Sequence, residues 1–137
     1  MITTLRHLAF IGNLNITHKG IADLVSSPNI ANLEILDLSN TKVNDQAIEA
    51  IGNSPYMTNL KNLFFMDSPY ITAKSLDFLI KSEKNLMNLN LQPIFRLFSH
   101  WIEDSVVEVF AKSPLLEKIA ILYLNKSKIT SQSFEYL

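Results

Sequence analysis

Apolar residues recur along this chain in a fixed group. They occupy relative positions 1, 4 and 6 in Leu5/Leu8/Phe10, Leu33/Leu36/Leu38, Leu60/Leu63/Phe65, Leu86/Leu89/Leu91 and Ile119/Leu122/Leu124. The starts at 5, 33, 60, 86 and 119 are separated by 28, 27, 26 and 33 residues. A period in this range is the signature of stacked supersecondary units, each unable to bury its apolar side alone. Apolar positions 4 and 6 flanked by other residues at 3, 5 and 7 predict a short strand with one face inward.

A small polar residue follows at position 9: Asn13, Thr41, Ser68 and Ser127, with Ile94 departing in the fourth unit. Next come an apolar residue and a capping residue, as Ile16-Thr17, Val43-Asn44, Ile71-Thr72 and Ile129-Thr130, and as Ile102-Glu103 in the fourth unit. Thr and Asn accept a hydrogen bond from a free amide at a helix start. Apolar residues then fall four and seven positions after the cap: Ile21/Leu24, Ile48/Ile51, Leu76/Leu79, Val107/Phe110 and Phe134/Leu137. They predict one apolar helical stripe per unit. Ser27, Ser54, Ser82 and Ser113 stand three residues beyond, and Pro28, Pro55 and Pro114 follow three of them. Proline cannot continue a helix, so these Ser-Pro pairs read as stop signals rather than modification sites.

Residues 5–137 thereby resemble a leucine-rich repeat protein, most similar to the ribonuclease-inhibitor-like and cysteine-containing subclasses, which include the repeats of F-box proteins. Asn13, Thr41, Ser68 and Ser127 stand where the cysteine-containing form has Cys, and Ile16-Thr17-His18-Lys19-Gly20-Ile21 is similar to its helix phrase. The resemblance implies an α/β solenoid of about five repeats, with a curved parallel sheet on the concave side and helices on the convex side. On this reading residues 1–137 are a single repeat domain, complete or a fragment of a longer chain. The strand at Leu5 has no element before it and the last stripe stops at Leu137, so both ends are expected to expose core and to invite self-association.

Composition narrows the function. The formal net charge is −1 with no run of like charges, which argues against nucleic-acid and membrane-surface binding. No cysteine is present, so a disulfide framework and a cysteine-based metal or redox site are excluded. There is no signal-peptide pattern and no apolar run long enough for a membrane span. An intracellular location follows, or that of a secreted bacterial effector without such a leader. Asn15-Ile16-Thr17 and Asn125-Lys126-Ser127 are then glycosylation sequons in form only. His7, His18 and His100 have no ligand spacing, and only Gly12, Gly20 and Gly52 are available for a phosphate loop. Glu103-Asp104 lies in a helical first turn, where the helix dipole accounts for acidic residues. Neither a catalytic site, a metal site nor a cofactor site is expected, and the chain does not read as an enzyme.

The outward strand positions are the informative surface. Position 3 reads His7, Ile35, Asn62, Asn88, Ile121; position 5 reads Ala9, Asp37, Phe64, Asn90, Tyr123; position 7 reads Ile11, Ser39, Met66, Gln92, Asn125. Apolar and aromatic anchors among polar groups suit a protein interface. The fourth unit has eleven residues from Leu91 to Ile102 where others have five or six, and the excess includes Phe95 and Trp101. The segment 94–101 is expected to be a loop that either folds back over the solenoid edge or contacts a partner. The expected binding residues are His7, Ile35, Asp37, Phe64, Met66, Asn90, Tyr123, Phe95 and Trp101. The function expected is a protein–protein interaction module with a partner of unknown identity. The alternatives are a structural subunit of a large assembly and a protein similar to GTPase regulators.

Overall fold

A computed structural model describes residues 4–82, 94–96, 102–113, 121–123 and 127–137. Strands and helices alternate: β1 (His7–Ala9), α1 (His18–Val25), β2 (Ile35–Asp37), α2 (Asp45–Asn53), β3 (Asn62–Phe64), α3 (Ala73–Lys81), β4 (Ile94–Arg96), α4 (Asp104–Ala111) and β5 (Ile121–Tyr123). Pro28–Ile30 and Ser131–Glu135 are 3-10 turns. β1, β2 and β3 form a parallel sheet in that order, and β4 pairs in parallel with β5. The helices pack successively, α1 on α2, α2 on α3, α3 on α4, and α4 on the final 3-10 turn.

The first three units follow the expected register. Leu8, Leu36 and Leu63 stand opposite one another. Leu36 and Leu38 are completely buried and Leu63 nearly so. They share one core with Val43, Ile48, Ile51, Met57, Leu60, Phe65 and Ile71. Leu5, Leu8, Phe10 and Ile16 are only partly buried against it, because β1 is an edge strand with a sheet partner on one side. Pairing continues past the three-residue strands: Phe10 N–H donates to the Asp37 carbonyl at 2.8 Å and Leu38 N–H to the Phe64 carbonyl at 2.7 Å.

Each of these strands leaves the sheet through a left-handed residue at position 8: Gly12 (φ 72°), Asn40 (φ 55°) and Asp67 (φ 53°). Gly, Asn and Asp are the residues that enter this region most readily. The small polar residue at position 9 then turns inward in the second and third units, whereas Asn13 in the first is exposed. Thr41 and Ser68 are fully buried, and their hydroxyls donate to the same carbonyl, Leu38 O, at 2.6 and 3.1 Å. The cap of α2 forms as expected, Gln46 N–H donating to Asn44 Oδ1 at 3.1 Å. Thr72 and Thr130 likewise accept from Lys74 and Gln132, whereas Thr17 makes no side-chain cap bond.

Two expectations are corrected. The described strand of the fourth unit is Ile94–Arg96, inside the segment expected to be a loop. Phe95 stands opposite Leu122, on the position that Leu8, Leu36 and Leu63 hold in the first sheet. Residues 86–91 and 97–101, including Asn90 and Trp101, lie outside the described residues. The second correction concerns the last stripe. Ser131–Glu135 is a 3-10 turn, with Phe134 71% and Leu137 56% exposed. The type of helix is what differs from the expectation; the exposure of these two side chains agrees with the exposed core expected at this end.

The shared core predicts that Leu38→Ala lowers unfolding free energy by about 2–5 kcal/mol in a denaturant titration. A second prediction comes from α2 and α3. A Cβ at Gly52 would lie 2.1 Å from Ser82 Oγ and 2.8 Å from Ser82 Cβ. Gly52→Ala is expected to cost roughly 1–3 kcal/mol through overpacking. Ser82→Gly in the same chain should recover most of that loss, a coupling readable in a double-mutant cycle.

Candidate functional site: the outward strand face

Alternation along the strands sets this face. In β1 His7 and Ala9 are exposed on either side of Leu8; in β3 Asn62 and Phe64 are more exposed than Leu63 between them. Ile35 and Asp37 of β2 are half-buried, as is Met66 just beyond β3. Strand register places His7, Ile35 and Asn62 in one row and Ala9, Asp37 and Phe64 in the next. Phe64 is 39% exposed and Ile11, at the far lip of β1, is 64% exposed. The structure therefore brings together five of the expected binding residues, His7, Ile35, Asp37, Phe64 and Met66.

The remaining four divide. Phe95 and Tyr123 belong to the second strand pair, Phe95 opposite Leu122 and Tyr123 opposite Arg96. Asn90 and Trp101 fall outside the described residues. Of the histidines, His7 and His18 are exposed and His100 falls outside the described residues. Among the described residues no group of three or more His, Asp or Glu side chains converges.

Not every outward residue is free to meet a ligand. Ser39 is buried; its hydroxyl accepts from Met66 N–H at 3.1 Å and its own N–H donates to Asp37 Oδ1 at 2.9 Å. Asp37 thus spends one carboxylate oxygen on the turn after its own strand.

Below the strands runs a charge ladder that the apolar pattern did not reveal. Glu34 accepts from Arg6 Nη1 at 2.5 Å and from Lys61 Nζ at 2.8 Å, joining three units. Arg6 and Lys61 remain 64% and 52% exposed. The hydrogen bonds from Lys61 and then Arg6 hold the Glu34 carboxyl below its usual value. The signal was present in the sequence as charges of alternating sign at position 2 of consecutive units.

A second recurring tie joins the helix starts. Asp45, the first residue of α2, accepts from Thr72 N–H at 2.8 Å, Thr72 Oγ1 at 2.5 Å and Ser75 Oγ at 2.6 Å. Asp104, the first residue of α4, accepts in the same way from Thr130 N–H at 2.8 Å, Thr130 Oγ1 at 2.6 Å and Ser133 Oγ. These bonds, Ser133 foremost, hold the Asp104 carboxyl below its usual value. Asp104 therefore does more than complement a helix dipole: it grips the following unit. The visible signature is an Asp after the cap, answered one unit later by Thr-x-x-Ser.

With this geometry in hand, comparison with known proteins is informative at the level of fold. The crystal structure of an internalin (inlF) from Listeria monocytogenes superposes on 95% of this chain with a TM-score of 0.50 and 17% sequence identity. The fold is of the leucine-rich repeat type. This chain spans 44% of the length of that internalin chain. No family model matches the sequence. Within the described part of this leucine-rich repeat fold, no helix is long and apolar enough to cross a membrane.

The two depressed carboxylates give a pH prediction. Their folded values lie below the ordinary 4.5 of Glu34 and 3.8 of Asp104. Their contributions are therefore present above those ordinary values and are lost as pH falls through the folded ones. Glu34→Gln and Asp104→Asn should each flatten the loss of stability in acid, and should matter least once the wild-type carboxyls are themselves protonated. Chemical denaturation between pH 2 and pH 7 checks this.

Proposed function

We propose that this chain is a protein-binding module whose partner docks on the outward strand face of a five-unit solenoid. The observation that carries the reading is Phe64. It is a large aromatic side chain 39% exposed in the row shared with Asp37 and Ala9. Ile35 and Met66 belong to the same face and are half-buried. Aromatic and Met anchors interspersed with polar groups are the composition of interface centres. The aromatic ring buries a large area with few rotors to freeze. Leucine-rich repeat folds, like solenoids generally, offer an extended inner surface for such contacts, and the internalin likeness supports the architecture on which the reading rests.

Tyr123 extends the proposed face into the second strand pair, where it shares a row with Arg96. Asn90, Phe95 and Trp101 remain candidates by their place in the sequence. The resemblance to ribonuclease-inhibitor-like and F-box-type repeats fits this reading, with Thr41 and Ser68 supplying buried hydroxyls at the position of the family's cysteine.

Affinity capture with the whole chain, followed by mass spectrometry, would identify the partner. Against it, Phe64→Ala combined with Tyr123→Ala should weaken binding by more than about 2 kcal/mol and leave the melting temperature nearly unchanged. Lys74→Ala with Lys81→Ala, on α3, should do neither. Loss of binding in the α3 pair, with the strand-face pair unaffected, would place the interface on the helical side and overturn the proposal.

A further inference from the structure

The two Asp clasps are alike in hydrogen bonding and unlike in what lies behind them. At Asp45 the gripped segment is backed by a packed core: Ile71, immediately before Thr72, is completely buried, and Leu79 of α3 is 2% exposed. At Asp104 the gripped segment is 127–137, whose large apolar side chains are not buried. Phe134 and Leu137 are exposed and Ile129 is half-buried. Within 127–137 the one buried side chain is that of Ser133, fully enclosed, and its hydroxyl donates to Asp104. Polar ties to the α4 unit also include the two bonds from Thr130 to Asp104 and Lys128 N–H donating to Ile102 O at 2.7 Å.

We propose that residues 127–137 form a strap that docks on α4 through the Asp104 clasp and can release from it while the first three units stay folded. Polar ties of this kind set position but bury little apolar surface, and segments with few buried apolar contacts open at lower free energy than the core. The segment therefore opens sub-globally. Its undocking leaves α4, which packs on α3 on its other side, with a vacated flank. The flank belongs to a helix whose Val106 and Val107 are nearly fully buried in the docked state. The strap is thus a conformational element, separate from the strand face and independent of what binds there.

Native-state hydrogen exchange on the whole chain tests this. The amides of Gln132, Ser133 and Tyr136 are bonded within the strap. In the wild type they should exchange faster than the Leu38 and Ala47 amides, which are bonded in the first three units. Asp104→Ala removes all three acceptor contacts. It should speed exchange at the three strap amides by roughly tenfold or more, the scale expected for losing charge-assisted bonds, with Leu38 and Ala47 unchanged. Thr130→Val with Ser133→Ala removes the two hydroxyl donors instead, leaves the Thr130 N–H and the carboxylate intact, and should speed exchange at Ser133 and Tyr136, the Gln132 amide being set aside because Thr130 Oγ1 is its own acceptor. Strap amides that exchange at wild-type rates in both variants would overturn the proposal. So would equal acceleration at Leu38 and Ala47, which would mean that the segment opens only with the whole domain.

Discussion

A strand of three residues cannot satisfy its own backbone, and this constraint governs the fold. The carbonyl of Leu38 lies at the end of such a strand, in a residue with no solvent exposure. It is bonded by Thr41 from its own unit and by Ser68 from the next, while Leu38 N–H reaches across to Phe64 O. Leaving that carbonyl unpaired would carry the full cost of desolvation. The next unit is therefore needed for polar satisfaction as well as for covering apolar side chains. Small hydroxyl residues at position 9 serve this role in the second and third units, where Thr41 and Ser68 are fully buried and share that one carbonyl.

The ties nearer the surface answer a different need. Apolar stacking is tolerant of sliding, whereas the Arg6–Glu34–Lys61 ladder and the Asp45 and Asp104 clasps are directional and join residues one repeat apart. Exposed ion pairs add little stability. Their value here is in fixing which residue faces which, at the strand entry in one case and the helix start in the other. Asn59, whose side-chain amide donates to Ala31 O at 2.8 Å, does the same for the loops between helix and strand.

With position and register set by these groups, the outward side chains of the strands are relieved of structural duty to different degrees. Ser39 and Asp37 still serve the turn. Phe64 stands outside the clustered core and retains more than a third of its accessible surface. A side chain held on a rigid strand, large and apolar yet not consumed by folding, is the kind of feature on which recognition can be built. The strap at 127–137 represents the opposite case, a segment placed mainly by polar contacts and therefore separable from the body.

Much of this architecture was legible in the chain itself. The spacing of Leu33, Leu36 and Leu38 established strand and inward face, because strand side chains alternate with a period of two. Asn44 announced the start of α2, and Ser54-Pro55 its end. In the fourth unit the triplet Leu86-x-x-Leu89-x-Leu91 lies outside the described residues. A described strand runs from Ile94 to Arg96, inside the segment that reads locally as a loop, and it pairs with Ile121–Tyr123, a partner far along the chain. The face of His7, Ile35, Asp37, Phe64 and Met66 could be derived from alternation alone. How exposed each would be could not, since burial depends on neighbouring strands that sequence does not measure. The Asp104 clasp shows the same division. Asp104, Thr130 and Ser133 are ordinary helix-start residues one by one, and only stacking the units brings the three within hydrogen-bonding reach.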